Sequence, residues 1–359
     1  MLSGVRVLDF TNYLPGPYAT LRLADLGAEV IKVEPIQGDP ARHLANGFVY
    51  EANNRNKQSI AMDLKNPANV NSLYQLLPTV DVVIESFRPG VMKRFELDYE
   101  TVKKIKEDIV YCSLTGFGQA GENAHLGSHD LNYQGLSGFL SQHKDGHGDP
   151  IHPSITTADL TGGLVATERI MAALFHRERT GMGSYLDLAL NDTLISMLTS
   201  HAAYQSQLKK PDGPPALEGS VVCYHLYKTK DHRFVSLAAL EPHFWTNFCT
   251  AAGKEEWVPQ AFTKATESNE VFQAITALFS ERTMEEWAQF GLDYDCCLFP
   301  VLKVDEVLQH SYLEERDLIS REGGKVNIIT NTNIRTTPPP KLGEHHNAVF
   351  KDLDRKSFP

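Results

Sequence analysis

The chain has 359 residues, 42% of them hydrophobic and 22% charged, a composition that excludes wholesale disorder and collagen-like repeats. Lys plus Arg total 34 against 45 for Asp plus Glu, a net charge of −11. Nucleic acid is therefore not the expected partner, because the phosphate attraction that dominates such binding needs a basic surface.

The first third alternates strand and helix signals. Val5–Phe10 reads as a β-branched strand, broken by Pro15-Gly16-Pro17, and Tyr18–Leu26 as a helix ending at Gly27. Glu29–Val33 and Ser59–Met62 read as the second and third strands, with Asn66–Leu77 a helix holding Pro67 in its first turn, where the missing N–H costs nothing. Val82–Glu85 and Ile109–Leu114 are further apolar strands. Short apolar strands separated by helices predict a parallel sheet covered on both faces. A helix is expected over Asp130–Ser141, a long amphipathic one over Thr157–Arg177, a strand over Ser184–Leu190 and a helix over Asn191–Ser206. The Pro-rich stretch Lys209–Pro215 then reads as a joint. Beyond it, Tyr224–Tyr227 and Phe234–Leu240 alternate as antiparallel strands, and Glu241–Ala252 and Met284–Phe290 read as helices. Thr336–Pro340 is a second extended joint. The fold class is α/β, and the length favours two domains. A Rossmann-like large domain over 1–208 is completed by 336–359; a linker over 209–220, a smaller α+β domain over 221–325 and a return linker over 326–340 follow.

The five cysteines are odd in number, Cys296 and Cys297 are adjacent, and no CxxC pair occurs, so neither a zinc site nor a redox motif is expected. The opening MLSGVRVLDFTNYLPG lacks a basic segment before an apolar run, and no stretch of 18 apolar residues follows. A cytoplasmic protein with reduced thiols, no membrane partner and no metal is the expectation.

The first strand–helix turn, Asn12 to Pro17, lacks GxGxxG, and GxxxxGK[ST] is absent, so neither a standard dinucleotide fingerprint nor a P-loop is expected there. It still sits where an α/β sheet offers its ligand crevice. Basic residues cluster early, and several charges from separate loops suit a polyphosphate ligand. Lys103, Lys104 and Lys106 read as a solvated helix face, whereas Lys65, Arg88 and Arg94 stand beside turns. His129 lies at the mouth of a helix, where a neutral imidazole is favoured as a base and N–H groups can hold an oxyanion. Asp159 opens the long helix and Glu241 a later one, both positions where an acid is commonly a cap. Gly162 and Gly163 each cost about 1 kcal/mol against Ala in a helix, which close approach of a ligand or backbone would explain.

Taken in order, these segments resemble the family III CoA-transferase and racemase superfamily (CaiB/BaiF-like). The resemblance runs nearly end to end: LSGVRVLDFTNYLPGPYATLRLADLGAEVIKVE, NRNKQSIAMDLKNP, DVVIESFRPGVMKRFELDYE, SLTGFGQAG, DLTGGLVATERIMAALFHRERTGMGSYLDLALND and PPPKLGEHHNAV. Transferases of the superfamily use an Asp matching Asp159 as the nucleophile on a thioester. Members similar to α-methylacyl-CoA racemases use it as a proton carrier. They also carry a GHDINY-like stretch, which Ser128–Tyr133 resembles, and IEPQFY-like and CVTPVL-like stretches, matched by Leu240–Trp245 and Cys297–Leu302. The racemase branch is therefore the closer match. Two departures stand out. Racemases read GDFGGG where Ala158–Gly163 stands, and Pro35 follows Glu34 where an Arg is common, so Arg42 is expected to substitute.

The resemblance implies a CoA thioester as substrate, with no tightly bound cofactor, and an interlocked homodimer. It places CoA near Leu14, Pro15, Gly16, Arg42, Met62, Lys65, Arg88 and Arg94. It implies that His129 and Asp159 move a proton on and off the α-carbon of a 2-methylacyl-CoA, helped by Asp130 at the helix start. Glu241 would orient His129, across the subunit interface in that picture. Transfer of CoA between acids through an aspartyl intermediate at Asp159, and a CoA-ester binding protein without turnover, are the alternatives.

Overall fold

The computed structural model describes residues 1–210, 213–322, 325–329 and 336–356. The chain forms two compact units: Met1–Leu198 with Glu314–Pro359, and Thr199–Leu313.

The larger unit is built on six parallel strands: β1 (Arg6–Phe10), β2 (Glu29–Glu34), β3 (Lys57–Ala61), β4 (Val82–Glu85), β5 (Val110–Thr115) and β6 (Ser184–Ala189). Their order is β3-β2-β1-β4-β5-β6. Helices α1 (Pro15–Asp25), α2 (Phe48–Asn53), α3 (Pro67–Leu76), α4 (Val91–Arg94), α5 (Tyr99–Ile105), α6 (Asp130–Leu136), α7 (Thr157–Thr180) and α8 (Leu190–Ser196) connect them. Strand side chains alternate between the faces. Val7, Val30, Ile84 and Cys112 pack in one core with residues of α1 and α7, and Leu8, Ile31, Ile60 and Val83 in the other with residues of α3. The chain winds outward from β1 to β3, then returns to β4 on the other side of β1. The turns after β1 and β4 therefore diverge, which opens a crevice at the strand ends. The terminal helix His346–Lys356 adds Val349 to the second core. Ahead of it, the Gly343 N–H donates to Ser59 Oγ at 3.0 Å and Thr337 N–H to Asn56 Oδ1 at 2.6 Å, tying this segment to β3 and the turn before it.

The second unit starts with α9 (Thr199–Leu208) and pairs β7 (Tyr224–Lys228), β8 (Phe234–Ala238) and β9 (Leu298–Pro300) antiparallel. Its core joins Tyr227, Val235 and Leu237 to Trp245 and Phe248 of α10 (Pro242–Ala251), Phe279 of α11 (Glu270–Phe279) and Trp287 of α12 (Met284–Tyr294).

Several elements were not expected, among them α2, α4, α11 and β9, and three expected ones differ. The first strand ends before Pro15-Gly16-Pro17 as expected, but that segment is itself the first turn of α1, which starts at Pro15 and not at Tyr18, since a fixed proline φ suits that position. The helix expected to Ser141 stops at Leu136, with Gly138 left-handed at φ 81°. The helix expected over Asn191–Ser206 is two helices, and Leu190 belongs to the first of them and not to the preceding strand. The divisions between the units fall between Leu198 and Thr199, in the gap between those two helices, and between Leu313 and Glu314, so 199–208 goes with the smaller unit and 314–325 with the larger, against the expected bounds of 1–208 and 221–325. The expected first linker, 209–220, includes 211–212, and the expected return linker includes 330–335; both stretches lie outside the described residues.

Candidate active site

Two clefts open along the carboxyl edge of the large unit's sheet. The first, about 450 Å³, lies over the ends of β1, β2 and β3. Its walls are largely apolar, with Val33, Met62, Phe87 and Phe95, and Lys65 stands on its rim. Asn12 lines it from the turn after β1, and its Oδ1 is buried without a hydrogen-bond partner among the described residues. A mostly apolar cleft with one unmet acceptor and a cation at its edge, beside Glu34 and Asp63, has the mix of surfaces that a nucleotide-type ligand needs. Leu14 is the N-cap of α1, Pro15 its first residue, and Gly16 lies so close to Thr11 that a Cβ would be 2.2 Å from the Thr11 Cβ. Only glycine lets the turn close that tightly.

The second cleft, about 350 Å³, lies over β4 and β5. Glu85 stands in it, 3% exposed, with its carboxyl pushed up to about 7 chiefly by burial. Arg88 stands at its rim; its Nη2 is 3.0 Å from where a Cβ on Gly127 would be, so the guanidinium lies against the segment leading to His129. Arg94 is exposed at the end of α4, one residue before Phe95 of the first cleft.

The starts of α6 and α7 meet. His129 is the N-cap of α6, its N–H given to Asn132 Oδ1 at 3.0 Å. Asp130, next in sequence and buried, reaches across: its Oδ1 accepts the Asp159 N–H at 3.1 Å and its Oδ2 accepts from Gln134 Nε2 at 2.6 Å. Asp159 is half-buried in the first turn of α7. Burial, with the Asp130 charge second, pushes its carboxyl up to about 7. The exposed imidazole and this carboxyl are thus carried on helix starts stitched together by one carboxylate. Gly162 and Gly163 are explained by packing against the chain itself. A Cβ on Gly163 would be 2.7 Å from the Pro15 carbonyl oxygen, and one on Gly162 would be 2.1 Å from Leu190 Cδ2.

The expected residues thus fall into distinct places. Met62 and Lys65 line the first cleft, Arg88 the second, and His129, Asp130 and Asp159 form the α6–α7 junction. Arg42 is held elsewhere: its Nε and Nη2 each donate to the Glu34 carboxylate at 2.7 Å, and its guanidinium lies 3.7 Å from the Tyr50 ring centroid. An Arg so engaged is an internal ion pair and not an open phosphate contact. Glu241 belongs to the second unit, exposed at the N-cap of α10. Sequence reasoning pointed to the turn that carries Asn12 but not to its side chain, and missed Glu85 and Gln134. A carboxylate closing the apolar run VVIE was the available signal for the first; nothing distinguished the amides. Among the described residues no group of three or more His, Cys, Asp or Glu could hold a metal, and no helix is long and apolar enough to cross a membrane.

Comparison with known proteins adds relatives over nearly the whole length. A family model described as CoA-transferase family III matches residues 2–346. The mouse succinyl-CoA:glutarate CoA-transferase is 33% identical, over 99% of this chain and 86% of its own. The mouse alpha-methylacyl-CoA racemase is 32% identical, over 98% of this chain and 93% of its own. Among solved structures, a CAIB/BAIF family protein from Brucella suis is 28% identical with a TM-score of 0.83, covering 98% of this chain and 99% of its own.

Proposed function

The chain belongs to CoA-transferase family III, an enzyme family acting on CoA thioesters, and from that premise we propose that it racemises 2-methylacyl-CoA esters by moving the α-proton. The thioester carbonyl acidifies that proton, and the transition state is enolate-like. One group removes the proton from one face while another delivers a proton to the opposite face, and the roles swap with direction. His129 and Asp159 are the two groups. The observation that supports this most is the α6–α7 junction, where Asp130, next to His129 at the start of α6, accepts the Asp159 N–H at the start of α7 and the Asp159 carboxyl is raised to about 7. A group that must both give and take a proton near neutral pH works best with its pKa near that pH. The His129 N–H is already given to Asn132, which leaves the Asp130 N–H for the enolate oxygen, worth roughly 3–4 kcal/mol by analogy with other oxyanion holes.

In this reading the first cleft takes the adenosine end of CoA, against Met62 with Lys65 at its rim and Asn12 on one side, in the turn that runs on into Leu14–Gly16. Arg88 and Arg94 are the exposed cations offered to its phosphates. Glu241 is assigned to orient His129 from a second copy of the chain, as acids behind a working imidazole do.

The transferase reading has one observation in its favour, the 33% identity to a succinyl-CoA:glutarate CoA-transferase across 99% of this chain. There Asp159 attacks the thioester carbonyl and expels CoA thiolate, leaving a mixed anhydride; the thiolate then attacks the aspartyl carbonyl of that anhydride, releasing the first acid and leaving an aspartyl-CoA thioester, from which an acceptor carboxylate takes CoA by the reverse steps. A single epimer of a 2-methylacyl-CoA, supplied without any acceptor acid, separates the two. Loss of optical purity with the thioester intact is expected. An unchanged epimer, with CoA moving once a carboxylic acid is added, establishes transfer. A CoA-ester binding protein predicts neither.

A further inference from the structure

Of the charged side chains buried in the large unit that have no part in that chemistry, four bond to one short segment. Asp9, Lys32 and Asp39 are each 0% exposed and Lys57 is 3% exposed. Asp9 is on β1, Lys32 on β2, Lys57 on β3, and Asp39 follows β2. Burying a charge is costly unless it is paired and hydrogen-bonded. Lys32 Nζ lies 2.9 Å from Asp39 Oδ2, and Lys57 Nζ lies 3.4 Å from Asp9 Oδ2. Burial still pushes the Lys57 ammonium down to about 7.

What these four groups hold is the backbone of one segment, 11–17. Asp9 Oδ1 accepts the Thr11 N–H at 2.9 Å, and Lys32 Nζ donates to the Thr11 carbonyl at 2.7 Å. Asp39 Oδ1 accepts the Tyr13 N–H at 3.1 Å. Lys57 Nζ donates to the Pro17 carbonyl at 2.8 Å and to Asn54 Oδ1 at 2.9 Å. Tyr13 is left-handed at φ 65°, a conformation that persists only where the surroundings over-determine it. The segment also faces outward at both ends. Asn12 lines the first cleft, and the Pro15 carbonyl packs on Gly163. Gly163 is four residues after Asp159, on the same face of α7.

We propose that Asp9, Lys32, Asp39 and Lys57 are positioning residues, a buried clamp that fixes segment 11–17 so that it shapes the ligand cleft at one end and seats the start of α7, with Asp159, at the other. Asp39 serves the cleft end through Tyr13, and Lys57 the helix end through Pro17. The kinetic part of this inference rests on the reading of the site as a CoA-ester enzyme; the structural part does not.

Hydrogen exchange read by mass spectrometry on the whole protein tests the structural part. Lys57→Met keeps the aliphatic stem and removes the donor to Pro17. It is expected to speed exchange in 11–20 and 157–166 by about tenfold or more while β5 and β6 keep their protection. Asp39→Ala is expected to speed exchange in 11–20 alone, and it carries the test should Lys57→Met fail to fold. Exchange rising alike in β5 and β6, or unchanged in 11–20, overturns the clamp. In turnover of 2-methylacyl-CoA, Asp39→Ala is expected to raise KM with kcat little changed, and Lys57→Met to lower kcat by about tenfold. The same loss in both parameters for both variants contradicts the division of labour. A wild-type protein that turns over no CoA ester counts against the functional reading, and the exchange pattern then decides the clamp alone.

Discussion

Asp159 is where burial and charge act together on one carboxyl. Its pKa rises from 3.8 to about 7 because burial disfavours the ionised form and Asp130 adds a like charge. A carboxyl raised on folding favours the folded state while protonated: that contribution is complete below 3.8 and lost as the pH rises through about 7. Asp159→Asn is therefore expected to raise the melting temperature more near pH 8 than near pH 5, read by calorimetry. Equal shifts at both contradict the raised value. Asp130→Asn removes the like charge but not the burial. The Asp159 limb of the kcat/KM–pH profile should move toward acid, by less than the full displacement, because burial is the larger cause.

At the scale of elements, α7 is the piece whose packing carries function. Alanine is intrinsically better than glycine in a helix by about 1 kcal/mol, so the two glycines can be told apart by what surrounds them. At Gly162 the added methyl meets the far end of the Leu190 side chain, which can turn aside. At Gly163 it meets the Pro15 carbonyl and the Ala19 amide, which cannot. Gly163→Ala is expected to destabilise by about 1–3 kcal/mol in denaturant titration, and Gly162→Ala by clearly less. The strands were legible because burial on both faces leaves short apolar runs such as VRVLDF and VVIE. Element ends were less so. Pro15-Gly16-Pro17 ends the strand as it reads, but the helix starts there and not at Tyr18, because proline at a helix start is favourable. The end of α6 at Leu136 depends on Gly138 turning left-handed, which nothing in the local apolar pattern demands.

For the whole molecule, the sheet order puts the divergence of β1 and β4 under the ligand clefts, and the six-strand α/β fold was readable from the alternation of elements. The site was readable only in part. His129 and Asp159 stood out because each opens a helix, but the carboxylate that joins them, Asp130, has a reach no spacing reveals. Arg42 looked available because its partner Glu34 lies eight residues away at the end of another element, invisible to local reasoning. Assembly offers its own test. Glu241→Gln and His129→Ala should each be poorly active alone. Mixed dimers of the two are expected to regain activity, because one site in each then holds both intact residues; no recovery contradicts a Glu241 contributed by the second copy.

The central claim is that two different groups address the two faces of one carbon. Deuterium wash-in at the α-carbon, measured separately from each epimer in heavy water, tests it most directly. The wild type should exchange both epimers. His129→Ala should lose wash-in from one epimer and keep it from the other, and Asp159→Asn should show the opposite pattern. Loss of both epimers alike in either variant, or no wash-in by the wild type, contradicts the account.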